Sequence, residues 1–166
     1  MKNIAKLSFL ALIALMLSYI ESIIPMPVPA PGIKLGLANL VTLFLLVNKQ
    51  NKGAILVLIT RTVLASLLFA NPVNLLYSLG GGFLSLAVMS LIIKAYPKRV
   101  SLIGVSVAGA VFHNFGQMAV ACLLMRSMTL LYYLPILIFV AVITGVIIAL
   151  IGTFLFPRLS KFYVEQ

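Results

Sequence analysis

One imidazole and two amide side chains lie close together in the largely apolar run 101–125. They are His113, Asn114 and Gln117. Because His113 and Gln117 are four residues apart, a helix places them on one face, with Gly109 one turn earlier. An imidazole and two amides offer directional hydrogen bonds, and a glycine lets a ligand or a second helix approach closely. The set predicts the lining of a polar cavity, although a lone histidine in an apolar helix is also compatible with a structural role.

Arg61 lies near the middle of another apolar run, 54–70. A charged side chain at mid-bilayer costs at least about 2.5–3.5 kcal/mol, so it needs a partner, a water-filled cavity or a function. One interpretation is a structural pairing with Glu21 or with helix-end carbonyls. The other is a binding-site cation that faces an anionic ligand. The sequence alone is compatible with both.

The segment between the first two apolar runs has an unusual backbone composition. Prolines occupy every second position in 25–31, and Gly32 and Gly36 follow. Proline favours extended backbone, whereas glycine permits bends. The segment is either a plain connector or a lid over a site open to the outside. Lys34 and Asn39, at the entrance of the next run, join the candidate substrate-binding residues.

Several kinds of chemistry lack the residues that they need. The chain has no Gly-x-x-x-x-Gly-Lys-Ser/Thr loop for nucleotide phosphates and no aspartate to hold Mg²⁺ and a diphosphate. One histidine and one cysteine cannot supply a metal or iron–sulfur ligand set. We therefore expect a protein that is not an enzyme, binds no metal and has no intrinsic cofactor.

The composition determines the elements that must position these residues. Hydrophobic residues make up 63% of the chain and charged residues 8%, against roughly 25% charged in soluble domains. Six membrane crossings need roughly 120 residues, which excludes a sizeable soluble domain in a chain of 166 residues. The sequence predicts an all-α integral membrane protein in which residues 1–166 form a single domain of six transmembrane helices. The predicted helices are 4–24, 35–47, 54–70, 75–95, 101–125 and 134–156, of which the second is short for a full crossing.

The positive charges alternate between the gaps that separate these runs. The N-terminus, the second and fourth gaps and the tail carry most of them, namely Lys2, Lys6, Lys49, Lys52, Lys94, Lys98, Arg99, Arg158 and Lys161. The other gaps carry only Lys34 and Arg126. The positive-inside rule then predicts both termini in the cytoplasm of a multi-pass protein of the bacterial plasma membrane. The scattered cations form no patch that would bind nucleic acid.

A family resemblance is carried by blocks spread over nearly the whole chain. These are Leu-Ser-Tyr-Ile-Glu-Ser at 17–22, Pro-Gly-Ile-Lys-Leu-Gly-Leu-Ala-Asn at 31–39, Leu-Tyr-Ser-Leu-Gly-Gly at 76–81, Gly-Val-Ser-Val-Ala-Gly-Ala at 104–110, His-Asn at 113–114, Gly-Gln at 116–117 and Tyr-Leu-Pro at 133–135. They resemble the Gx transporter family, often labelled heptaprenyl diphosphate synthase component I. That family is in turn similar to the substrate-binding S components of energy-coupling factor (ECF) vitamin transporters.

The resemblance implies a six-helix binding subunit with a gating first outer loop. It implies partners as well, a transmembrane coupling protein and two ATPases. In S components an Ala-x-x-x-Ala face on the first helix contacts the coupling protein. Here Ala14-x-x-x-Ser18, with Ala11 one turn earlier, is an approximate version of that face.

Three hypotheses about function follow. The first is capture of a small anionic molecule by Lys34, Asn39, Arg61, His113, Asn114 and Gln117 for uptake. The second is a membrane subunit of a transmembrane electron-transfer system, which would hold a flavin or quinone supplied by flavin-bearing redox proteins. The third is a non-catalytic subunit of a prenyl diphosphate synthase, whose partner would carry the aspartate-rich motifs that this chain lacks.

Overall fold

The structure is a computed structural model that describes residues 2–24, 36–69 and 72–164. The described residues form six α-helices and two short 3₁₀ turns, with no strand among them. The α-helices are α1 (Lys2–Ile23), α2 (Asn39–Val47), α3 (Asn51–Leu68), α4 (Pro72–Ile92), α5 (Leu102–Met125) and α6 (Leu134–Val164). The 3₁₀ turns, Ile93–Ala95 and Thr129–Tyr133, follow α4 and precede α6. The prediction of six helices is confirmed.

Five of the helices are long and apolar enough to cross a membrane, and α2 is not among them. With 9 residues, α2 is about 14 Å long, roughly half the thickness of a bilayer's hydrocarbon core. The sixth helix continues past the predicted end at 156 to Val164, with Pro157 inside it. Large apolar side chains are exposed on the outer faces, including Ile4, Leu67 and Leu123. This pattern is that of a multi-pass membrane protein.

Side-chain contacts fix the directions of the helices. α1 and α3 run parallel, because Leu7 packs on Gly53 near their starts and Ser18 contacts Arg61 further along. The pair α4 and α5 is antiparallel, with contacts between Met89 and Gly109 and between positions 80 and 116. Contacts between positions 107 and 145 and between 114 and 137 make α5 and α6 antiparallel as well.

Because α3 ends at Leu68 and α4 begins at Pro72, and the two helices contact each other, they form an antiparallel pair. These directions together bring the start of α1 and the end of α6 to the same end of the bundle. Most of the described cations lie there, namely Lys6, Lys49, Lys52, Lys94, Lys98, Arg99 and Arg158, and we call it the basic end. Arg126 follows α5 at the opposite end. The arrangement agrees with the alternation of charge that the sequence predicts.

The short helix α2 occupies the centre of the bundle and contacts each of the other five helices. Its residues Leu43 and Leu45 are fully buried, and Phe44 packs on Phe156 of α6 with ring centroids 5.3 Å apart. A helix that is apolar on all sides is typical of a buried position. The core of the protein therefore forms around α2.

Glycines allow α4 and α5 to pack with their backbones in contact. A β-carbon at Gly116 would lie against the carbonyl oxygen of Gly80 and 2.8 Å from the α-carbon of Gly81. Real β-carbons essentially never come that close to a backbone atom. The glycine run of α4 is thus the surface on which α5 rests.

We expect Gly116→Ala to destabilise the protein by about 1–3 kcal/mol, because the added methyl group pushes two backbones apart. The buried thiol of Cys122 gives the measurement, since a maleimide dye reacts with it only when the protein unfolds on heating. Gly104→Ala is the matched control. Its β-carbon would meet only side-chain atoms, Val100 Cγ1 at 3.1 Å and Ser101 Oγ at 3.6 Å. Equal unfolding midpoints for the two variants would contradict the proposed backbone contact.

Candidate functional site

Six buried polar side chains from α1, α2, α3 and α5 form what we call the polar layer. They are Ser18, Glu21, Asn39, Arg61, His113 and Gln117, and each is at most 5% exposed. Buried polar groups cost free energy unless they are hydrogen-bonded. The hydrogen bonds among these residues therefore determine which of the buried polar groups are stabilised and which are not.

Arg61 extends from α3 to α1. Its Nη1 donates a hydrogen bond to Ser18 Oγ at 3.2 Å. Glu21 lies three residues further along α1, on the same side of the helix, and attracts the guanidinium electrostatically. The described contacts of Arg61 thus consist of the hydrogen bond to Ser18 and the electrostatic attraction of Glu21.

Two further nitrogens of Arg61 have no such contact. Nε and Nη2 are buried and lack a hydrogen-bond partner among the described residues. These two nitrogens lie on one edge of the planar guanidinium, the edge that binds carboxylates and phosphates with two parallel hydrogen bonds. Arg61 thus hydrogen-bonds to the protein through Nη1, whereas its two-donor edge has no acceptor in the described part of the chain.

Glu21 connects the end of α1 to the start of α2. One of its carboxylate oxygens, Oε1, accepts hydrogen bonds from the backbone N–H groups of Gly36 and Leu37, the latter at 3.3 Å. Gly36 has a left-handed φ of 86°, a conformation that glycine adopts without steric cost. The carboxylate therefore stabilises a backbone bend that the residue type at position 36 permits.

The His113 ring lies between two glycines. A β-carbon at Gly36 would be 3.4 Å from its Cδ2, and one at Gly81 of α4 would be 3.1 Å from its Cε1. The imidazole ring is therefore packed closely against the backbone at both glycine positions. Gln117 follows on the same face, with its Cγ 2.7 Å from a β-carbon placed at Gly81. The predicted pairing of His113 and Gln117 on one helix face is what the structure shows.

Asn39 completes the layer at the first turn of α2. Its backbone N–H donates to the carbonyl of Gly36 at 2.9 Å. Its side-chain Nδ2 is buried, without a hydrogen-bond partner in the part of the chain that the structure describes. A β-carbon at Gly36 would come within 2.9 Å of this nitrogen. Asn39 thus adds a second unsatisfied donor group to the layer.

Asn114 and Lys34 differ from the other candidates. Asn114 Nδ2 donates to the carbonyl of Leu137 at 3.0 Å, which ties α5 to α6. One residue further along a helix is a rotation of about 100°, so Asn114 points away from the face of His113. Lys34, together with most of the proposed lid at 25–36, lies outside the described residues.

Sequence reasoning missed two members of the site. The sequence places Ser18 only in the approximate version of the Ala-x-x-x-Ala face on the first helix. In the structure its hydroxyl accepts a hydrogen bond from Arg61. Gly81, part of a glycine run, forms one side of the cleft that holds His113. The signal for Ser18 was its spacing of three residues from Glu21.

A model of the family described as heptaprenyl diphosphate synthase component I matches residues 10–155. The chain belongs to this family. The matched range includes every residue of the polar layer. No curated protein and no solved structure matches the chain.

The pair formed by Glu21 and Arg61 predicts a large loss of stability in Glu21→Gln. This change leaves the buried cation without its counter-charge, a situation that costs roughly 3–5 kcal/mol. Heating with a maleimide dye that reads Cys122 measures the loss. Ser22→Ala is the control, because Ser22 is in the same turn but exposed and bonded to its own helix.

A double-mutant cycle separates the pairing from other effects of the change. Combined with Arg61→Met, the variant Glu21→Gln should cost less than the sum of the two single changes, because no charge is left unpaired. Strictly additive losses would show that the two side chains do not interact.

Proposed function

We propose that this chain is the membrane-embedded, substrate-binding subunit of an uptake system for a small anionic molecule and is not itself an enzyme. The observation that carries the proposal is the donor edge of Arg61, with Nε and Nη2 buried and unsatisfied among the described residues. Leaving a buried donor without an acceptor costs about 1–3 kcal/mol, and more for charged groups. A ligand that supplies two acceptor oxygens removes this cost.

The chemistry of the donors favours a carboxylate or a phosphate. The guanidinium edge supplies two parallel N–H donors, which match the oxygens of those groups. Asn39 Nδ2 is a further buried donor, close to Gly36 at the start of α2. We include Lys34 as a second cation, because it is two residues before Gly36 in the sequence. Neutral sugars or apolar vitamins make poorer use of such a site.

Glu21 compensates the charge of Arg61 when no ligand is bound. An arriving anion would take over the donor edge, while Glu21 continues to accept from the backbone of Gly36 and Leu37. His113 and Gln117, held between α4 and α5, would contact the less charged part of the ligand. Asn114 would support the site by fixing α5 to α6.

The energy for uptake would come from partners. The chain contains no phosphate-binding loop for ATP, and its resemblance to S components suggests a transmembrane coupling protein with two ATPases. The proposed role includes no catalysis by the chain itself. Prenyl synthase chemistry needs carboxylate pairs that hold Mg²⁺-diphosphate, and the chain has no aspartate. The plasma membrane is the proposed location, following the positive-inside pattern.

The variant Arg61→Lys tests the ligand site. Lysine keeps the positive charge but is a point charge without the planar two-donor edge. We expect mass spectrometry of small molecules extracted from the purified protein to detect a carboxylate or phosphate compound with the unsubstituted chain, and at least tenfold less of it with Arg61→Lys. Arg126→Lys is the matched control, because Arg126 is an exposed arginine that follows α5 and is not part of the polar layer. Recovery of the same compound in equal amounts from all three proteins would remove Arg61 from the site.

The partners are tested by gentle purification of the C-terminally tagged chain from native membranes, followed by identification of the co-purifying proteins. We expect a membrane coupling protein and two ATPases. Flavin-bearing redox proteins without ATPases, with flavin or quinone absorbance in the complex, would replace uptake by the electron-transfer hypothesis. A soluble, aspartate-rich partner would instead identify a synthase subunit.

A further inference from the structure

Two adjoining cavities open at the basic end, far from the polar layer. Each has a volume of about 510 Å³, and the two share Lys94, Tyr96 and Pro97 in their linings. Lys49 lines the first cavity, and Lys98 and Arg99 line the second. Four cations thus line the two adjoining cavities, which we together call the recess, and the described linings contain no acidic residue.

The backbone holds these cations in fixed places. After α4, the N–H of Tyr96 donates to the carbonyl of Ile93 at 3.0 Å and that of Arg99 donates to Ala95 at 2.8 Å. These bonds close a compact turn that carries Lys94, Lys98 and Arg99. The recess is therefore formed by an ordered backbone.

Lys49, two residues after the end of α2, has a left-handed backbone conformation with φ of 58°. The N–H of Lys49 donates to Leu46 and that of Gln50 to Leu45, at 2.9 and 2.8 Å, which is the bonding pattern of a Schellman cap. Glycine is the usual residue at this position of the cap. The chain thus carries a lysine where the backbone favours glycine, and its side chain lines the recess.

The surroundings of the recess are amphipathic. Leu91, which lines the second cavity together with Lys94, is 64% exposed. It lies in the last turn of α4, three residues before Lys94 of the following 3₁₀ turn. This leucine is on the outer surface of a helix long and apolar enough to cross a membrane. A ligand that fits has an anionic head for the cations and an apolar chain for the adjacent helix face.

We propose that this recess is a binding site for the phosphate head group of an anionic membrane phospholipid. Basic pockets between transmembrane helices on the cytoplasmic side are suited to such head groups. The exposed Leu91 beside Lys94 favours a lipid over a water-soluble phosphate. The site is separate from the polar layer and does not depend on the proposed uptake function.

The experiment uses the full chain in neutral detergent, with phosphatidylglycerol as the probe and native mass spectrometry to count bound lipid. We expect retention of phosphatidylglycerol but not of phosphatidylcholine. Each lining cation that is removed should weaken binding roughly fivefold, so Lys94→Gln combined with Arg99→Gln should weaken it roughly 25-fold. Lys52→Gln, at the same end of the bundle but outside the described linings, should leave binding within about twofold.

Lys49→Gly distinguishes loss of the site from loss of the fold. Glycine relieves the left-handed strain, so this variant should unfold at the same or a higher temperature while it binds phosphatidylglycerol roughly fivefold more weakly. Arg126→Gly is matched to it, since Arg126 also has a left-handed φ, of 49°, but at the opposite end. Its lipid binding should not change.

Three results would overturn the proposal. One is an equal loss of lipid in Lys52→Gln and Lys94→Gln, which would indicate general charge attraction. Another is equal retention of phosphatidylcholine. The last is full displacement of phosphatidylglycerol by an equal concentration of glycerol 3-phosphate, which would identify a site for soluble phosphate compounds.

Discussion

A guanidinium group inside a bundle of apolar helices needs a counter-charge and hydrogen-bond acceptors, and the arrangement of the polar layer follows from this need. Arg61 obtains both from α1, through Ser18 and Glu21. Glu21 in turn accepts from the backbone at the start of α2. One buried cation thus connects α3, α1 and α2, while its Nε and Nη2 have no hydrogen-bond partner among the described residues.

The glycines of α4 and α5 determine where the other half of the layer lies. Close contact of the two backbones brings Gly81 against His113 and Gln117, so these side chains are held by main-chain atoms on one side. Main-chain atoms move less than long side chains, and a ring held in this way has few alternative positions. A ligand would therefore meet a preorganised surface on α5, and preorganisation lowers the entropic cost of binding.

The sequence predicts most of the local features and few of the pairings. Apolar runs predict six helices, and spacing of four residues predicts that His113 and Gln117 share a face, because both properties are local. Helical geometry also predicts that Asn114 points to a different side of α5 than His113. It does not predict that α6 is the helix on that side. The hydrogen bond between Arg61 and Ser18 joins residues 43 positions apart, and no local pattern specifies which helices become adjacent. The short apolar run 35–47 correctly predicts that α2 is too short for a full membrane crossing.

The small size and central position of α2 have a consequence for how the protein is made. A helix of 9 residues that is surrounded by five others is too short to enter the lipid by itself from the insertion machinery. We therefore expect α2 to enter the membrane together with its neighbours, so that membrane insertion and tertiary packing are coupled in this chain. Substitutions in α1 and α3 at their contacts with α2 would then impair insertion of α2 even where α1 and α3 themselves insert.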